Sequence, residues 1–213
     1  MSTETVETAQ TAEAAEAVQT AEAVQATETA RTADDQYPAA TAEGPTPEHA
    51  DLIAELRTIR HFLRLTARDL DDEQASRRTT VSELTIGGLI KHVTSMERAW
   101  AAFIAVGTSA LPDFNAMAEA DYQARADEFR LLPGETLLGV LTAYEAVARG
   151  TDELLAGLAD LNVSHPLPSA PWFAPGVSWS ARRTVLHIIA ETAQHAGHAD
   201  IIRESLDGQK SMG

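Results

Sequence analysis

The chain has 213 residues, 44% of them hydrophobic, which is enough for one domain with a core of its own. Its formal net charge of −16 argues against nucleic acid or an anionic membrane as a partner. There is no cysteine, which excludes disulfides, zinc–thiolate sites, CxxC redox chemistry and a protein thiol nucleophile. Any thiol in its chemistry has to arrive as a small molecule.

Residues 1–45 use almost only Ala, Thr, Glu, Val and Gln, and their seven Glu, two Asp and one Arg carry −8, half of the net charge. Large apolar residues are missing, so this segment is expected to be a solvated, disordered acidic tail whose removal leaves folding intact. A coiled coil would need Leu or Ile at heptad positions, and these are absent. Tyr37-Pro38 through Gly44-Pro45 reads as linker, which places the folded domain at residues 46–213. The start of the chain lacks the basic and apolar regions of a signal peptide. The run Ala99 to Leu111 is too short to span a bilayer, so the expectation is a soluble, cytoplasmic protein.

The first helix is expected to start at Thr46, with Pro47 in its first turn and Glu48 favouring the dipole, and to end near Leu70. Leu52, Leu56, Ile59 and Leu63 supply its apolar spacing. Asp71 to Thr80 reads as a loop. The second helix runs from Ile86 to about Val106, with Leu89, His92, Met96, Trp100 and Phe103 on one stripe. Residues 107–133 read as a long connection with one short helix around Ala116 to Glu128. A third helix is expected from Pro133-Gly134-Glu135, carrying Leu137, Leu141, Tyr144, Val147, Thr151 and Leu154. Asn162 to Val177 holds four prolines and reads as a loop. Ser180 caps a fourth helix that stops at Asp207-Gly208. Four amphipathic helices without a convincing strand predict an all-α four-helix bundle.

The fourth helix carries His187, Glu191, His195 and His198 within about 40° of one stripe on an ideal helix. A stripe at this spacing normally faces a core, and polar groups turned inward need partners. A metal ion would be one. His92 is the complement on the second helix, because it interrupts an otherwise apolar stripe. A lone His there more often makes a hydrogen bond in the core, and its weight comes from the fourth-helix groups available to meet it. Two imidazoles and one carboxylate would leave coordination positions open for chemistry on a bound water, thiol or carbonyl. HExxH, paired Glu-x-x-His motifs and a Gly-x-Ser-x-Gly elbow are all missing. Gly87-Gly88 falls inside a helix pattern and reads as a site of close helix packing.

Three stretches carry a family resemblance. They are Leu89-Ile90-Lys91-His92 with Glu97 and Trp100, then Pro133-Gly134-Glu135-Thr136-Leu137, and Glu191-Thr192-Ala193-Gln194-His195-Ala196-Gly197-His198-Ala199-Asp200 through Arg203-Glu204 and Asp207-Gly208. Over about residues 47–208 the chain resembles the DinB-like superfamily. More closely, it is similar to the branch that holds mycothiol-dependent maleylpyruvate isomerase and the mycothiol or bacillithiol S-transferases. The resemblance implies a mononuclear divalent metal, Zn²⁺ first and Ni²⁺ second, on His92, Glu191 and His195. Many relatives carry His where this chain has Glu191, and the maleylpyruvate isomerase type carries Glu.

His198 is then expected as the catalytic base or as an alternative ligand, and His187 as a core residue. Asp200 and Arg203 are expected in a surface or interhelical salt bridge. His49, His61 and His165 belong to no constellation. Trp100 and Trp172 serve either a pocket or packing. The implied activity is metal-dependent S-transfer to, or isomerisation of, a small electrophile with a low-molecular-weight thiol such as mycothiol as cosubstrate. A thiol-independent metal hydrolase and a non-catalytic metal-binding or stress-response protein are the alternatives. Relatives are often dimers, so a homodimer through the outer helix faces is expected.

Overall fold

The structure, a computed structural model, describes residues 46–211, and the acidic tail expected over residues 1–45 lies outside them. Four long helices carry the fold: α1 (Pro47–Leu65), α3 (Ile86–Val106), α5 (Leu137–Gly157) and α6 (Ala181–Asp207). Two short ones, α2 (Asp72–Ala75) and α4 (Glu119–Asp127), lie in the connections. This is the expected four-helix bundle.

Capping chemistry sets most of the helix starts. The hydroxyls of Thr85, Thr136 and Ser180 accept from the N–H groups of Gly88, Gly139 and Arg183, satisfying donors that a helix start leaves without partners. At α1 a histidine does this work: His49 Nδ1 accepts from the Thr46 backbone N–H at 3.2 Å and from its hydroxyl at 2.8 Å. His49 is buried, so it belongs to the helix start after all.

Several boundaries depart from expectation. α1 ends at Leu65 rather than near Leu70, where the Thr66 hydroxyl turns back to the Leu63 carbonyl at 2.7 Å and Asp69 takes a left-handed φ of 60°. α5 begins at Leu137, because Pro133-Gly134 forms the preceding turn with Gly134 at φ 90°. The segment Asp71 to Thr80 contains α2, closed by reciprocal Asp71–Gln74 capping bonds. The Asn162 to Val177 loop is flanked by a short antiparallel pair, β1 (Ser164–Pro166) and β2 (Ser178–Ser180), with His165 opposite Trp179. Three-residue strands are too short to leave a periodic signal.

Cross-helix pairs fix the directions. α1 and α6 run parallel, since Arg182 pairs with Glu48 near their starts and Arg203 reaches the Thr66 and Arg68 carbonyls at their ends. α5 runs against α1 through Arg57–Asp152 and Arg64–Glu145. α3 runs against α6, with Trp100 on His187 and His92 on His195. α3 and α5 are therefore parallel neighbours, and Lys91 meets Glu135 near their starts at 2.7 Å. A helix of 21 residues is about 30 Å long, so the chain must travel back that distance between them. Residues 107–136 make this return along the side of the bundle.

The return explains Gly87-Gly88. The expected close helix packing is instead close packing against the returning chain. A Cβ on Gly88 would stand 2.8 Å from the Arg130 nitrogen and collide with the Phe129 carbonyl.

Two apolar clusters fill the bundle, one around Leu63, Leu89, Val93 and Tyr144 and the other around Ile53, Leu56, Ile104 and Val185. Between them lies a buried ion cluster. Arg60 donates to Glu97 at 2.5 and 3.1 Å and to Asp152 at 2.7 Å, joining α1, α3 and α5. Arg203, expected in a salt bridge near Asp200, is buried and pairs with Asp207, while Asp200 accepts from the Ser211 N–H. Among the described residues no helix is long and apolar enough to cross a membrane.

Candidate functional site

Three donors converge where α3 and α6 face each other. His92 comes from α3, Glu191 and His195 come from successive turns of α6, and one ligand atom of each lies within 4.8 Å of the others. The two imidazoles meet edge to face, 4.9 Å apart at 82°. His195 Nε2 stands 3.7 Å from a Glu191 oxygen, beyond hydrogen-bonding distance, and its Nδ1 is buried without a partner. Two imidazole lone pairs and a carboxylate gathered this closely, but not bonded to one another, suit a shared divalent cation.

Burial favours the neutral, metal-binding form of His195. Burial pushes the His195 pKa down, His92 and His198 add to this, and Glu191 opposes it. Burial likewise lowers His187, with Arg183 adding and Glu191 opposing. Neutral imidazole is the ligand form.

The cluster opens into a cavity of about 720 Å³, walled by α3 and α6 on the inside and by the 107–136 return and the α5–α6 connection on the outside. A model of the mycothiol S-transferase family matches residues 51–208. The chain belongs to the mycothiol S-transferase family. That bears out the resemblance to this branch of the DinB-like superfamily. A crystal structure described as that of the conserved protein of locus from Enterococcus faecalis is similar in fold, with a TM-score of 0.53 and 13% identity. The match covers 75% of this chain and 97% of that one, and at this identity the likeness extends to fold alone. No curated protein matches the chain.

The remaining predicted residues fall around this cluster in different ways. His198 lies with its ring 5.7 Å from that of His195, outside the three-donor cluster and off the cavity wall. His187, expected in the core, stands half-buried on the cavity wall. Its ring packs edge-on against Trp100 and Trp179, and its Nε2 is 4.0 Å from Glu191. Trp100 both lines the cavity and stacks on Trp179 at 5.1 Å, and Trp172 stands at the wall, mostly exposed. His165 is structural, bonding the Ile104 carbonyl at 3.2 Å.

Sequence reasoning missed Glu128. It follows α4 in the return, and its carboxylate accepts from His92 Nδ1 at 3.3 Å and from the Ser95 hydroxyl at 2.8 Å. Burial would raise its pKa, but these two bonds, together with the nearby His92 and Arg125 charges, outweigh burial and lower it. Phe129 stacks flat on the His92 ring at 4.0 Å. The only available signal was Ser95, one turn beyond His92, together with the rule that a ligating histidine anchors its second nitrogen.

Proposed function

We propose that this chain is a metal-dependent S-transferase that joins a low-molecular-weight thiol of the mycothiol type to a small electrophile. The carrying observation is the set of His92, Glu191 and His195, from two facing helices, within 4.8 Å of one another, with His92 and Glu191 on the wall of a cavity large enough for two small molecules. Family membership supports the thiol and the transfer.

In this reading His92, Glu191 and His195 hold a divalent ion, with Zn²⁺ ahead of Ni²⁺. A bound ion of this kind acts as a Lewis acid that lowers the pKa of a coordinated thiol. Glu128 accepts the Nδ1 proton of His92, which leaves Nε2 with its lone pair and locks the ring. The Phe129 ring closes one face of the same imidazole. His198, in contact with His195 and off the cavity wall, is assigned the positioning of His195 rather than contact with substrate. His187 and Trp100 border the acceptor's approach to Glu191. A reducing cytoplasm, where small thiols stay reduced, is the fitting compartment.

The test is elemental analysis of wild type beside Glu191→Ala and His195→Ala, followed by electrophile consumption with and without added thiol. The expected result is about one divalent ion per wild-type chain, its loss in both variants, and turnover that requires thiol. Turnover without thiol would replace this reading with metal-dependent hydrolysis. Equal metal content in wild type and variants would remove the proposed ligands.

A further inference from the structure

We infer that the electrophile this site accepts is a planar aromatic that stacks on Trp172; the inference rests on the thiol-transfer reading above. The cavity has two chemically different linings. Its helix side presents His92, Ser95, His187 and Glu191. Its outer side carries an aromatic group, with Phe114 from the return connection and Trp172 and Phe173 from the α5–α6 connection, beside the charged Asp113, Asp121, Arg125 and Glu128 of the return.

The rings form a continuous rail. Phe114 meets Trp172 at 4.9 Å and 70°, Trp172 meets Phe173 at 6.1 Å, and Phe173 meets Trp179 at 5.7 Å. Trp179 stacks on Trp100 at 5.1 Å, and both touch His187, one turn of α6 from Glu191. The rail thus leads from the outer wall to the metal-binding cluster. Along it Trp179 is 9% exposed, whereas Trp172 is 62% exposed. Arg125 already covers one face of Phe114 at 5.8 Å, so the large aromatic surface left for a ligand is that of Trp172. The jaw is braced, since Asn115 Nδ2 donates to the Ser169 carbonyl at 3.0 Å and ties the two connections together.

Aromatic faces favour offset or edge-to-face packing with other rings, a preference that adds to what the buried area alone contributes. A hydroxyl-rich molecule could also lie on a tryptophan, but it would need donors and acceptors around that ring. Phe114 and Phe173 are the rings that touch Trp172. Ser95 and Glu191, which suit hydroxyls, belong to the helix side, and Glu128 reaches that side from the return connection through its bonds to His92 and Ser95.

With an aryl halide the step balances. The thiolate sulfur bonds to the ring carbon, the carbon–halogen bond breaks, halide leaves with its electron pair, and the thiol proton passes to solvent.

The test uses the metal-loaded full chain and two measurements. First, unreactive 1,3-dinitrobenzene is titrated calorimetrically without thiol into wild type, Trp172→Ala and Trp172→Phe. Second, KM values are measured for mycothiol, for 1-chloro-2,4-dinitrobenzene and for the aliphatic electrophile iodoacetamide. The expected result is about tenfold weaker dinitrobenzene binding in Trp172→Ala, recovered in Trp172→Phe. A matching rise is expected in KM for the chlorodinitrobenzene alone. Unchanged dinitrobenzene binding overturns the inference, and so does a rise confined to the thiol's KM. Weakened dinitrobenzene binding in a protein that shows no thiol-dependent turnover would support the aromatic site while sinking the transfer reading.

Discussion

Glu128 holds His92 at 3.3 Å and Ser95 at 2.8 Å from a segment that is otherwise mostly exposed. Replacing it with Gln keeps the shape but trades an anionic acceptor for a neutral amide, and His92 loses the group that fixes its tautomer. Glu128→Gln is therefore expected to weaken divalent-metal affinity by about 10–100-fold, read by competition with a chelator, with thermal stability of the metal-free protein near wild type. An unchanged affinity would show that the bond to His92 does not orient the ring. Helical spacing set His187, Glu191, His195 and His198 on one stripe opposite His92, and the family resemblance narrowed that group to His92, Glu191 and His195. Glu128 was not legible, because its place beside His92 depends on how a non-helical return packs. No periodicity records that.

At the scale of elements, the Arg60–Glu97–Asp152 cluster joins three helices through the middle of the bundle. Burying such charges is costly, and breaking the set is costlier than never having built it, because the guanidinium is left without its anion. Glu97→Ala is expected to lose about 3–5 kcal/mol of folding free energy, measured by urea denaturation. A loss below about 1 kcal/mol would mean that water or Asp152 alone satisfies Arg60. The helices themselves were readable from their caps and apolar spacing, and Ser180, Thr46 and Gly208 sit where expected. Missed features were those decided by tertiary contacts. α1 stops short where Arg203 claims the carbonyls of Thr66 and Arg68, and β1–β2 exists through pairing across the loop of residues 167–177 rather than through local propensity.

At the scale of the molecule, an ion on the proposed ligands would clamp two antiparallel helices that are otherwise held by packing. An ion that binds the folded chain and not the unfolded one stabilises it by about 2.7 kcal/mol at a hundredfold excess over Kd. Chelation is therefore expected to lower Tm by about 5–10 °C for a domain of this size, and Glu191→Ala should show no such drop. An equal drop in both proteins would place the stabilising ion elsewhere.

The arrangement of the helices also bears on how such a protein can diversify. The proposed metal ligands stand on α3 and α6, whose inward faces build the core. The opposite wall is a detour that parallel neighbours require, and α4 within it buries no residue. Mutations in α4 meet little resistance from folding. In the proposed reading, one scaffold can hold its ligand set fixed while changes in α4 alter which small molecules the cavity admits.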